Sequence, residues 1–68
     1  MQPDWVEVCR HLGADGHALR KKAEAQKSDN AYTASLVLLC LRDALAFSLP
    51  EKDRERAFEP PAILQNKT

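Results

Sequence analysis

The chain has 68 residues, with ten basic and ten acidic side chains and a formal net charge of zero. A chain of this length forms one domain, and domains this small bury too little surface to be very stable alone. The balanced charge gives no global signal for nucleic acid or for an anionic membrane. Alanine, leucine and long charged residues outnumber β-branched and aromatic ones, which favours helices over strands.

Cysteine usage and hydropathy argue against two classes of protein. Cys9 and Cys40 are too few for a disulfide scaffold, so both are expected to be reduced thiols. The longest apolar run, residues 36–41, is far shorter than the roughly 20 residues that span a bilayer. The first residues also lack the basic start and the apolar stretch of a signal peptide. Together these features predict a soluble, cytoplasmic protein that does not enter a membrane.

The first predicted element is a helix that begins after Asp4, a good N-cap residue, and ends near Lys27. Its apolar and small residues repeat at alternating spacings of four and three, which places them in one seam on one helix face. Large and small residues alternate along this seam, and the small ones would let another helix approach closely. The seam consists of Trp5, Cys9, Leu12, Gly16, Leu19, Ala23 and Gln26.

Two glycines, Gly13 and Gly16, leave this helix open to two interpretations. Either the helix is continuous or kinked, or Gly13 ends one helix and Asp15 caps the next. With a break, residues 8–22 resemble a helix-turn-helix, and the helix near residues 15–27 would be the recognition helix. The residues that would then face DNA are His17, Arg20, Lys21 and Lys22.

A second helix is predicted from about residue 31 to residue 49, with Ser28 or Asp29 as its N-cap. Apolar residues surround its middle, interrupted only by Arg42 and Asp43. A helix that is apolar on all sides is a buried helix. The first helix can cover only one of its faces, which leaves a second apolar stripe made of Val37, Cys40, Ala44 and Phe47.

A short third helix is predicted over about residues 49–58, with Ser48 and Glu51 as a capping box. Its charges alternate in sign, which is typical of a solvated surface. Residues 1–59 are therefore predicted to form a single helical domain, and residues 60–68 a flexible C-terminal tail.

These elements predict an all-α fold, an antiparallel helical hairpin with a short third helix. The predicted hairpin core consists of Trp5, Leu12, Leu19, Leu38, Leu41 and Leu45. Because the chain does not cover the second stripe of its middle helix, we expect two copies to associate as a dimeric four-helix bundle. The expected self-association interface is formed by Val37, Cys40, Ala44 and Phe47.

The sequence contains few groups suited to catalysis or metal binding. His11 lies about 200° around a continuous helix from Cys9, and His17 lies about 12 Å further along it than Cys9, so these side chains do not converge on one site. Their spacing also matches no familiar zinc motif. We therefore expect no enzymatic activity, no metal and no cofactor.

The expected function follows from the uncovered stripe. It is that of a non-enzymatic interaction module of the adaptor, co-chaperone or inhibitor type, which presents a helical surface and modulates a partner protein. The expected partners are a second copy of the chain and another protein. The alternative is a dimeric helix-turn-helix transcriptional regulator that binds DNA through the helix near residues 15–27.

Overall fold

The computed structural model describes residues 2–61, in which three helices and no strand are found. The helices are α1 (Trp5–Gln26), α2 (Asp29–Phe47) and α3 (Glu51–Ala57). α1 and α2 pack against each other as a hairpin, and the short α3 contacts both. The prediction of an all-α hairpin with a short third helix is thus confirmed. The predicted tail, residues 60–68, extends beyond the described residues.

Local capping signals fix the starts of the two long helices. The Asp4 carboxylate accepts a hydrogen bond of 3.2 Å from the backbone N–H of Glu7. The Ser28 hydroxyl accepts one of 3.2 Å from the backbone N–H of Ala31. Each bond satisfies one of the N–H groups that a helix leaves unpaired in its first turn. Of the two predicted caps for α2, the serine is therefore the one used.

α1 continues without a break through Gly13 and Gly16, and neither glycine has a positive φ. The interpretation of a stop and restart in this segment is therefore wrong. The chain reverses instead at Lys27, which adopts a left-handed conformation with φ of 52°. A helix-turn-helix over residues 8–22 requires a turn after Gly13, and that turn does not form because both glycines are buried against α2.

The start of α3 differs from the prediction. The Ser48 hydroxyl donates a hydrogen bond of 2.7 Å to the carbonyl of Leu45, so it is bound to the last turn of α2. A hydroxyl engaged in this way is not available to cap the next helix. α3 begins at Glu51 after Pro50, and no side chain caps it.

The core between the helices is built mainly from small side chains. Cys9, Ala46 and Ala57 are fully buried and pack together where the three helices meet. Ser35 is also fully buried, and its hydroxyl donates a hydrogen bond of 2.6 Å to the carbonyl of Tyr32. The predicted close approach of a second helix to the small seam residues of α1 is confirmed, since α2 covers Cys9, Gly16 and Ala23, all of them buried.

Among the described residues, Val6 and Pro61 are buried, and every other large apolar side chain is at most partly buried. Those that are partly buried are Val8, Leu12, Leu19, Leu38, Leu39, Leu45 and Leu49. Trp5 and Leu41 are 45% and 48% exposed, contrary to their prediction as hairpin core residues. Leu41 lies about 140° around α2 from the buried Ala46 and so points away from α1. Trp5 lies in the first turn of α1, at the open end of the hairpin beside Leu45 and Leu49.

The contact between Gly16 and α2 leads to a stability prediction. A Cβ atom added at residue 16 would lie 2.7 Å from Cδ2 and 2.8 Å from Cγ of Leu39. We expect Gly16→Ala to lower the free energy of unfolding by about 1–3 kcal/mol, because the overpacking outweighs the better helix propensity of alanine. The midpoint of urea denaturation measures the change.

Gly13→Ala is the matched control for this substitution. A Cβ atom added there would meet only the flexible side chain of Arg42, with Nη1 at 3.0 Å. We expect this variant to stay within about 1 kcal/mol of the wild type. Equal stabilities for Gly16→Ala and Gly13→Ala would show that α1 and α2 are not in close contact at Gly16.

Candidate interaction surface

The side of α2 that points away from α1 carries a continuous row of apolar side chains. Val37 and Phe47 are the most exposed of these, at 60% and 62% of their surface. We call this surface the outer face of α2, and its exposed members are Leu36, Val37, Cys40, Leu41, Ala44 and Phe47. All four residues of the stripe predicted from the sequence lie on it. The outer face therefore combines large apolar side chains at its ends with small ones near its middle.

An aromatic pair lies at the Phe47 end of the outer face. The rings of Phe47 and Phe58 meet edge to face, with their centroids 6.0 Å apart. The guanidinium of Arg54 lies 5.6 Å from the centroid of the Phe47 ring, and that of Arg42 lies 4.9 Å from the centroid of the Phe58 ring. Cation–π contacts of this kind are worth about 0.5–1 kcal/mol at exposed sites. They border the outer face with positive charge, while its own residues are uncharged.

The basic residues that the helix-turn-helix alternative assigns to DNA are exposed on the continuous α1. Arg20 Nε lies 3.4 Å from Glu24 Oε1, and its guanidinium lies 5.5 Å from the centroid of the Tyr32 ring. Lys22 lies about 140° around the helix from His17. The structure therefore spreads these residues around a continuous helix and does not gather them on a separate recognition helix.

The two cysteines are free thiols in different surroundings. Cys9 is fully buried and its thiol donates a weak hydrogen bond of 3.9 Å to the carbonyl of Arg42. Burial raises the pKa of the Cys9 thiol above its ordinary value of 9.0, and the nearby charge of Arg42 offsets part of this rise. Cys40 is exposed in the middle of the outer face. Thiol chemistry at neutral pH is therefore expected at Cys40.

A groove of about 360 Å³ lies along α1 and adjoins the outer face of α2 only where Phe58 contacts Phe47. Residues of α1 form much of its lining, and Arg42 of α2 and residues 57–60 form the rest. Its apolar lining residues are Gly13, Ala14, Ala18, Ala57, Phe58 and Pro60. Its polar and charged lining residues are Arg10, His17, Lys21, Arg42 and Glu59.

Residues 2–61 contain no arrangement typical of a metal centre or a membrane span. Nowhere in that range do three or more His, Cys, Asp or Glu side chains lie close enough together to hold a metal ion. None of its helices has the combined length and apolar character needed to cross a bilayer. Comparison of the chain with protein-family models, curated proteins and solved structures found no match. Any function assigned to it therefore depends on its own geometry.

Proposed function

We propose that the protein is a non-enzymatic interaction module that docks partner helices on the outer face of α2. One observation supports this most strongly: the fully buried positions of α2 hold small side chains, while several of its large apolar side chains are exposed. Ala46 and Ala57 are fully buried, whereas Val37 and Phe47 are more than half exposed. Contiguous apolar surface of this kind is typical of interaction sites, and covering it gains about 25 cal/mol for each Å².

The first partner we propose is a second copy of the chain. On the outer side of α2, exposed residues recur at alternating spacings of four and three, the repeat of a helix-packing seam. The seam consists of Thr33, Val37, Cys40, Ala44 and Phe47. None of these residues is charged, so two such seams would not repel each other. Two hairpins joined in this way would form a four-helix bundle.

An antiparallel pairing centred on Cys40 is complementary in side-chain size. Phe47 of one copy would lie opposite Thr33 of the second, and Val37 would lie opposite Ala44. Facing layers that match a large residue with a small one fill space without voids. Cys40 would then meet its own symmetry mate at the two-fold axis.

The second partner we propose is a target protein that offers an amphipathic helix to the same face. Such a helix would compete with self-association, so the amount of free module would set how much target is bound. Because both cysteines are free thiols, a reducing compartment such as the cytoplasm suits this role.

The nucleic-acid alternative is checked by a gel-shift titration at physiological salt. Tight, sequence-selective binding of duplex DNA by the wild type would overturn the proposal.

Mild oxidation tests the proposed pairing directly. We expect diamide to join two chains through Cys40, because the thiol is exposed and the Cα atoms at a close two-fold crossing lie within about 7 Å. The two thiols together lose two electrons and two protons, which diamide takes up. Non-reducing gel electrophoresis measures the covalent dimer. Cys40→Ser should abolish it, and Cys9→Ser should leave it intact.

A relocated cysteine controls for crosslinking by random collision. Ala25 is exposed on α1, away from the outer face, so Ala25→Cys in the Cys40→Ser background offers an equally accessible thiol. The Cys40 chain should crosslink much faster than this control. Equal rates, or a dimer formed through Cys9 alone, would contradict pairing through the outer face of α2.

A further inference from the structure

We propose that the groove along α1 binds a small anionic amphiphile, a molecule with an apolar body and a carboxylate, sulfonate or phosphate head. Its volume of about 360 Å³ falls in the range of about 300–1,000 Å³ typical of small-molecule sites. No residue of the outer face of α2 lines it. The two surfaces share only the contact between Phe58 and Phe47, so the inference does not depend on the proposed docking function.

The groove exists because α3 is short and the α1 residues beneath it are small. α3 ends at Ala57, after seven residues, whereas α1 has 22. Beyond that end, Gly13, Ala14 and Ala18 leave the surface of α1 open and largely apolar. From Arg10 to Lys21 the lined stretch of α1 measures about 16 Å at about 1.5 Å per residue. That length suits a small ligand and is short for a docked partner helix.

One end of the groove is closed by a set of polar contacts. Arg10 Nε donates a hydrogen bond of 2.8 Å to the carbonyl of Arg56, and Arg10 Nη2 lies 3.4 Å from Glu59 Oε2. Arg10 Nη1 lies 3.3 Å from Glu7 Oε2. The Arg10 guanidinium therefore bridges two carboxylates, those of Glu7 and Glu59, and holds the segment after α3 against α1.

The remaining charges in the lining are positive. Lys21 is exposed at the far end of the groove. Arg42 donates to Asp43 Oδ1 through Nε and Nη2, at 3.0 and 2.8 Å, while its Nη1 lies beside Gly13 on the groove floor. The ring of Phe58 packs on the Arg42 guanidinium and fixes its position. Arg10, Glu59 and Arg42 are all ion-paired, so Lys21 is the charge that the described lining leaves for a ligand, and its complement is an anion.

Gly13 has a definite role in this arrangement. A Cβ atom at residue 13 would lie 3.0 Å from Arg42 Nη1 and 3.1 Å from Arg42 Cδ. The missing side chain therefore lets the Arg42 side chain pack directly on α1 and form the groove floor. An anionic head bound at Lys21 would place the apolar body of the ligand over Ala18 and Ala14.

Fluorescence titration of the full chain with anilinonaphthalene sulfonate tests the proposal. This probe carries a sulfonate on an apolar body and brightens on transfer from water to an apolar site. We expect saturable binding that is weakened about tenfold or more for phenylnaphthylamine, which lacks the sulfonate, because a charge-assisted hydrogen bond is lost. Lys21→Gln should also weaken binding of the sulfonate several-fold. Lys22→Gln, which alters a lysine outside the groove, should leave the affinity unchanged.

Three further variants locate the bound probe. Ala18→Trp fills the groove at an exposed position and should abolish binding, whereas Ala25→Trp lies outside the groove and should not. Val37→Asp alters the outer face of α2 and should also leave probe binding intact. Binding that survives Ala18→Trp, or is lost in Val37→Asp, would overturn the proposal. So would displacement of the probe by an acidic helical peptide but not by octanoate.

Discussion

Replacing Ala46 by aspartate should unfold the chain at room temperature. Ala46 has no exposed surface and packs with Cys9 and Ala57 where the three helices meet. A carboxylate at this point has no room to reach water, and burying an unpaired charge costs several kcal/mol. A core of this size supplies no more than about 3–5 kcal/mol in total. We therefore expect Ala46→Asp to lose most of its helical signal in far-ultraviolet circular dichroism.

The matched control is Ala44→Asp, which makes the same exchange two residues earlier in α2. Ala44 is exposed and lies about 160° around the helix from Ala46. We expect Ala44→Asp to keep its helical signal, since the carboxylate stays in water in each hairpin. An Ala46→Asp variant as helical as Ala44→Asp would show that the three helices do not meet at Ala46.

Val37→Asp should convert the proposed dimer into a folded monomer. Val37 is 60% exposed in the hairpin, so the substitution leaves the interior of each copy unchanged. In the paired state it would bury a carboxylate against the uncharged outer face of a second copy. We expect the dissociation constant to rise about 100-fold or more, since a desolvated unpaired charge at an interface costs about 2–5 kcal/mol.

Size-exclusion chromatography with light scattering measures this change in mass, and circular dichroism verifies that the variant remains helical. Ala25→Asp, which introduces the same charge at an exposed position of α1, should elute as the wild type does. A Val37→Asp chain that elutes and scatters as the wild type would remove the outer face of α2 from the interface.

The helix starts could be predicted because capping is local. Asp4 and Ser28 each satisfy an N–H group three residues later, and that relation is visible in the sequence. The continuity of α1 could not be predicted in the same way. Gly13 and Gly16 are compatible with a turn until α2 lies against them, and only the tertiary contacts with Leu39 and Arg42 decide the outcome.

The inward side of α2 was the hardest feature to predict. Because apolar residues surround this helix, polarity gave no period that would show which side faces α1. The row that faces α1 consists of Ser35, Leu39, Arg42 and Ala46, at spacings of four, three and four, and these residues share neither size nor polarity. Leu41 belongs to the other side and is exposed for that reason. Ser35 was missed because a serine suggests solvent, yet its hydroxyl is satisfied by the Tyr32 carbonyl.

The groove along α1 could not be predicted from the sequence either. Its lining joins residues of α1 with Arg42 and with the segment that follows α3. Their proximity depends on where α3 packs, and no local pattern specifies that. The row Arg10, Ala14, His17 and Lys21, at spacings of four, three and four, was the one available signal, since it places a cation at each end of a single face of α1.

α2 thus turns its two fully buried residues, Ser35 and Ala46, toward α1 and exposes several large apolar side chains, among them Val37 and Phe47. The fold gains a close helix–helix contact from this arrangement and leaves its apolar surface available for a partner. The stability of a single copy and its capacity to associate are therefore linked through one helix. Covering the outer face should stabilise the hairpin by mass action.

Sedimentation equilibrium of the wild-type chain, at micromolar concentration in reducing buffer, tests self-association through this face most directly. The chain has a mass of 7.6 kDa. If the outer face of α2 pairs with a second copy, the weight-average mass should approach twice that value and fall toward it on dilution. A well-folded species that stays at 7.6 kDa throughout the micromolar range would show that the outer face of α2 does not pair with a second copy.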